Sequence, residues 1–235
     1  MKTIRTIAIL FLLSVTVHAQ DFGMDVTTLS DFRSLGAGMM MQHFQPSSGN
    51  PTAPADRIDF STSVPMIELR QDGGRLSVGW NGFTDARGSA RRSLSVYGET
   101  HNDLPLGLKL GTMPTLFLPV IVSANYVRAD APSATVGPFD IGSVGIGTGL
   151  KFKRFGRDWG VTTFAAASLL YATRGFSTEY GSQTSLAGEI TVIRNGWGLE
   201  GVLAGYRFER QVWNMNDARL DYRRLYHLLF IGFLF

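Results

Sequence analysis

Short runs of strict alternation, none of them long enough to be a membrane helix, limit the fold of this chain more than any other feature. In RLSVGWNGF, Leu76, Val78 and Trp80 take one face while Ser77, Gly79 and Asn81 take the other. In FDIGSVGIGTGLKFK, Val144, Ile146, Leu150 and Phe152 share a face, opposite Ser143, Gly145, Gly147, Gly149, Lys151 and Lys153; Ile141 is off pattern. TLFLPVIVSANY alternates in the same way apart from Phe117 and Ile121. The longest apolar stretches, 117–122, 164–171 and 228–235, fall well short of the roughly 20 residues that a spanning helix needs. From Leu35 onward the period is that of strands.

The links between these strands alternate in length. Arg70-Gln71-Asp72-Gly73-Gly74 and Phe155-Gly156-Arg157-Asp158 are tight connections, and Arg194-Asn195-Gly196-Trp197 has the residues of a two-residue type I′ hairpin. Longer polar links cover 45–59, 85–91, 128–138, 175–184 and 211–221. Counting between links gives about ten strands, or eight if two segments merge. Residues 101–114 can hold a turn, a strand extension or an inward loop. Residues 20–34 do not alternate and read as a lead-in.

The first 19 residues look like an export leader. Lys2 and Arg5 precede an apolar middle from Ile7 to Val15, and Val17-His18-Ala19 makes a small-residue cleavage site. Cleavage after Ala19 leaves 235 − 19 = 216 residues. The formal charge of +3 loses Lys2 and Arg5 with the leader and becomes +1, and no basic cluster suggests a nucleic-acid partner. The absence of cysteine excludes disulfides and thiol catalysis.

If the Asn195-Gly196 turn sets the register, Arg194 faces Trp197, Val192 faces Leu199 and Ile190 faces Gly201. Thr191 then pairs with Glu200 and Glu189 with Val202, which makes Glu189 and Glu200 diagonal neighbours on the polar face. The same choice of face elsewhere turns Glu68, Arg70, Arg75, Asn81, Glu99, His101, Lys151 and Lys153 inward. Charges of both signs on an inner face must pair or be hydrated. Cross-barrel ion pairs that hold the barrel shape are one reading, and a solute path or pocket is the other.

The export leader, alternating strands, short and long links and terminal aromatic residue resemble bacterial outer-membrane β-barrel proteins, the small barrels of the porin-like and OmpA/OmpX-like kind. The resemblance implies an all-β fold, a closed antiparallel up-and-down transmembrane barrel over 35–235. It also implies location in the outer membrane of a Gram-negative cell envelope and contact with outer-membrane lipid. In that family a final phenylalanine is the signal read by the barrel-assembly machinery, and the match here is Phe235, with Phe233, Ile231 and Leu229 on its face. His227 departs from the pattern because it shares that face. Leu228, Phe230 and Leu234 depart too, since they make the opposite face apolar. Both departures would follow if another chain partly covered the last strand.

Chemistry is thinly signalled. Glu99 and His101 share a face but bring no nucleophile or oxyanion donor. A glutamate pair could do acid–base work on a sugar only in an open cleft. The glycines 142, 145, 147 and 149 lack the setting of a phosphate loop and read as making room inside the barrel. No metal-ligand spacing occurs, and no cofactor is expected. The expected function is therefore a non-enzymatic barrel with limited passage or binding of small solutes, or an envelope-structural role. The alternatives are a membrane-embedded lipid or peptide hydrolase and a surface adhesion barrel acting through loops 45–59 and 211–221. A soluble periplasmic barrel would need the opposite arrangement of faces.

Overall fold

A computed structural model describes residues 33–53, 56–84, 90–110, 113–131, 137–156, 159–175, 178–195 and 201–235. The expected leader (1–19), its cleavage site, the lead-in up to residue 32 and Glu200 lie outside the described residues. Twelve strands follow in chain order: β1 (Arg33–Pro46), β2 (Phe60–Gln71), β3 (Gly74–Thr84), β4 (Ala90–Pro105), β5 (Lys109–Leu110), β6 (Met113–Pro114), β7 (Leu116–Ala129), β8 (Phe139–Phe155), β9 (Trp159–Thr173), β10 (Tyr180–Asn195), β11 (Gly201–Met215) and β12 (Tyr222–Leu234). Ten of them form one closed antiparallel barrel, with β12 paired to β1. The uncertain stretch 101–114 resolves simply: β4 runs on to Pro105 against β7, and β5 and β6 make a small separate hairpin at the short-link end.

The pairings fix the barrel's shape. One row of partners runs Val202, Phe233, Leu35, Leu69, Leu76, Gly98, Ala124, Val144, Tyr171, Ser182 and returns to β11 at Asn214. The circuit closes 214 − 202 = 12 residues further along the strand, a shear of twelve for ten strands. With ordinary strand spacings this gives a tilt of roughly 40° and a backbone radius of about 10 Å. Inward side chains from opposite walls can meet across such a barrel.

The outer wall is apolar. Leu35, Ile67, Val122, Val144, Ile146, Leu150, Leu169, Leu186, Leu229, Ile231 and Phe233 all point out and are exposed. Trp159 and Phe235 lie at the short-link rim and Trp80, Tyr171 and Tyr180 nearer the long-link rim, as aromatic girdles do at a membrane interface. Among the described residues no helix is long and apolar enough to cross a membrane.

Several sequence expectations need correction. Asn195 pairs with Gly201, so the β10–β11 hairpin spans the five positions 196–200 and is no two-residue turn. Glu189 consequently faces Arg207 and not Val202, and the odd-numbered residues of β11 point inward. β10 already begins at Tyr180, inside the expected 175–184 link, and β11 continues through Gln211 to Met215, inside the expected 211–221 link. Burial of Gln211 and Trp213 in the lumen extends β11 through a stretch whose polarity imitates a loop.

The apolar inner face of β12 needs no second chain. Leu228, Phe230 and Leu234 pack inside the barrel against Met40, Val64, Met66, Ile193 and Leu203. His227 does point outward, where its Nδ1 lies 2.6 Å from the Tyr206 hydroxyl. The glycines of β8 serve close backbone approach more than lumen space. A Cβ at Gly145 would lie 2.1 Å from the Leu169 carbonyl oxygen, and one at Gly149 2.0 Å from that of Ala165.

Candidate functional site

The lumen holds a charged network at mid-height, built on Arg207. Its side chain is 1% exposed and its guanidinium donates to three carboxylates. Nη1 reaches Glu99 Oε1 at 2.9 Å and Glu189 Oε2 at 3.2 Å, and Nη2 reaches Glu209 Oε2 at 2.7 Å. Nη2 also donates to the Tyr97 hydroxyl at 3.0 Å. Strands β4, β10 and β11 are thereby tied across the barrel by one side chain. Arg70 makes a second fork, to Glu189 Oε1 at 2.5 Å and Oε2 at 3.1 Å, and also binds Glu68. Arg75 lies 3.5–3.6 Å from Glu99 and Glu68 and over the Tyr97 ring.

Towards the short-link end lies a smaller group. Lys151 binds Asp103 at 2.8 Å, and Lys153 bridges Asp72 at 2.9 Å and Asp103 at 2.8 Å. His101 lies 3.5 Å from both Glu99 and Lys151. Among the described residues that face the lumen, Arg70, Arg75, Lys151, Lys153, Arg207 and Arg224 balance Glu68, Asp72, Glu99, Asp103, Glu189 and Glu209. Balance matters here, because an unpaired charge left in a desolvated interior is strongly unfavourable.

Above the network an aromatic plug closes the long-link end. Phe44, Phe139, Trp213 and Tyr222 are buried and pack ring against ring, with centroids 4.9–6.1 Å apart. Over it lies a cavity of about 370 Å³ lined by Thr52, Asp56, Arg174, Asp217, Arg219 and Tyr222, among others. Asp217 caps a 3-10 turn, Ala218–Leu220, and forks with Arg219. The Arg219 guanidinium holds the Asp217 carboxyl below its usual range.

Of the residues singled out from sequence, Glu68, Arg70, Arg75, Glu99, His101, Lys151, Lys153 and Glu189 come together in the lumen. Asn81 stands apart, bonded across to the Ser63 carbonyl oxygen at 2.6 Å. Phe235 is outward and exposed at the end of the closing strand, its N–H donating to the Arg33 carbonyl oxygen. Sequence reasoning missed Arg207, Glu209 and Arg224. A signal existed in GYRFERQVW, where Tyr206 and Phe208 alternate with Arg207, Glu209 and Gln211, but the assumed hairpin register concealed it.

Hydrolytic groupings are sparse. Glu99 and His101 are committed to Arg207, Arg75 and Lys151. On the outer wall His43 Nδ1 lies 2.8 Å from Ser61 Oγ, in an outward groove of about 390 Å³ that also includes Ser63 and His227. No described carboxylate is bonded to His43. Among the described residues no group of metal-ligating side chains occurs.

No protein-family model and no curated protein matches the chain. Solved structures that resemble it include the outer-membrane protease OmpT of Escherichia coli, at TM-score 0.43 and 10% identity over 89% of this chain and 99% of that one. Ail, the attachment invasion locus protein of Yersinia pestis, matches at TM-score 0.30 and 12% identity over 88% and 100% of the two chains. The toluene transporter TodX of Pseudomonas putida matches at 0.29 and 7%, over 90% of each. On its own geometry, closed, ten-stranded, apolar outside and charged within, the chain has the architecture of a bacterial outer-membrane β-barrel protein.

Proposed function

We propose that the chain is an integral outer-membrane barrel whose lumen is a structural core and not a conduit. In this reading it is no enzyme. The leader 1–19 is removed after Ala19, residues 20–32 form a periplasmic lead-in, and Phe235 is the residue read by the barrel-assembly machinery. The short links face the periplasm and the long links the exterior. The observation that carries this reading is the Arg207 hub, fully buried and bound to Glu99, Glu189 and Glu209 beneath a closed aromatic layer. Side chains locked in this way favour barrel stability over passage. The mouth cavity supports limited binding of a small polar solute at the outer end.

Planar-bilayer recording of the reconstituted, heat-modifiable barrel tests the proposal. Electrical silence is the expected result, and discrete conductance steps would overturn it. A second reading, a lipid hydrolase, draws on the His43–Ser61 contact at the outer wall. Release of fatty acid from outer-membrane lipid that disappears in Ser61→Ala would favour that reading instead.

A further inference from the structure

One line in the wall is held differently from the rest. The β2–β3 ladder has six rungs, from Gln71–Gly74 up to Met66–Gly79, although the two strands continue to Phe60 and Thr84. On their other sides both strands stay paired: β2 with β1 as far as Phe44–Phe60, and β3 with β4 as far as Thr84–Ala90. The facing edges therefore part only from each other, and only in the half nearer the long links. Pro65, which has no N–H to offer, sits at the point of parting.

Side chains bridge what the backbone does not. Asn81 Nδ2 donates to the Ser63 carbonyl oxygen at 2.6 Å and to Thr62 Oγ1 at 3.2 Å, and the Phe60 and Phe83 rings stack 4.2 Å apart. Unpaired strand edges are avoided in hydrocarbon because nothing there satisfies them. A closure made by one amide and one ring pair can swing aside, whereas a backbone ladder cannot.

Behind the seam the lumen is locally apolar. Met40, Val64 and Met66 are buried in a continuous cluster with Leu228 and Phe230, beside the charged groups of the mid-height network. Met66 lies over Gly79 so closely that a Cβ there would be 2.0 Å from its sulfur. The space just inside the seam is thus filled by an unbranched, flexible thioether chain, which resembles an alkyl chain in shape and polarity.

We propose that the β2–β3 seam is a lateral port. An alkyl chain of a lipid in the outer leaflet enters between Pro65 and Trp80, displaces Met66 and lies along Met40, Val64 and Leu228. This rests on the reading that the outer wall meets lipid. Insertion and heat-modifiable migration test that reading separately.

The chain has no cysteine, so a single Met40→Cys reporter is unique, with Met66→Cys as a second should the first fail to fold. Each is reconstituted in phospholipid vesicles and challenged with a dodecyl maleimide or a sulfonated, water-soluble maleimide. The alkyl reagent should react about tenfold faster, because the opening is local and faces lipid. Closing a Ser63→Cys/Gly82→Cys disulfide before labelling should suppress that reaction, reduction should restore it, and Asn81→Ala should speed it. Equal rates for the two reagents would indicate an aqueous route from the mouth and overturn the port. A clamp without effect, or a folded barrel that neither reagent labels, would overturn it as well.

Discussion

Glu189 stands directly opposite Arg207 across the β10–β11 ladder, and its Oε2 accepts from Arg207 Nη1 at 3.2 Å. The same carboxylate takes both terminal nitrogens of Arg70 from β2. One glutamate thus joins two guanidiniums from strands three places apart around the barrel. Removing any one of the three leaves a net charge among the buried groups that remain.

Arg207→Met should be the most damaging single change in the lumen. It takes one cationic partner each from Glu99, Glu189 and Glu209, and loss of one partner from a buried ion cluster typically costs about 3–5 kcal/mol. Urea unfolding in detergent micelles, followed by gel mobility, measures this. A midpoint equal to that of the parent would show that the network carries no stability.

The β10–β11 register can be tested by crosslinking. Ile190 and Tyr206 are cross-strand partners on the outer face, so the pair Ile190→Cys/Tyr206→Cys should form a disulfide on mild oxidation. The pair Ile190→Cys/Gly201→Cys should not. The reverse pattern would restore the two-residue hairpin.

Tyr206 and His227 satisfy each other on an outer wall that is otherwise largely apolar. Tyr206→Phe leaves the imidazole without its partner and should destabilise the barrel by about 1–3 kcal/mol. The double change Tyr206→Phe/His227→Leu should recover most of the loss, since two apolar groups leave nothing unsatisfied. If the double variant were no better than the single one, the pair would have a role beyond mutual satisfaction.

The mouth should resist acid. With its pKa lowered by Arg219, Asp217 remains ionised when free aspartates begin to take up protons near their ordinary value of 3.8. A depressed carboxylate gives stability that is fully present above the unfolded-state pKa and is lost as pH falls through the folded one. Protease nicking of the loop around Asp217 should therefore stay constant from neutral pH down to that value and rise only below it. Asp217→Asn should remove the step. The same step in the Asp217→Asn variant would assign it to another group.

The sequence determined the strands and most of their faces, because a period of two survives any tertiary arrangement. RLSVGWNGF and FDIGSVGIGTGLKFK place Trp80 and Ile146 outside and Arg75 and Lys151 within, as the barrel does. Local alternation could not determine where β10 and β11 first pair, and a connection of five residues in place of two shifts the register by five and reverses every face of β11. Arg207 was hidden for that reason alone. The apolar inner face of β12 was equally ambiguous from sequence, since alternation cannot distinguish a face turned to lipid from one turned to Met40 and Val64 across a narrow lumen. Only closure of the barrel decided these points. Which carboxylates an arginine meets depends on strands far apart in the chain and brought together by a shear of twelve.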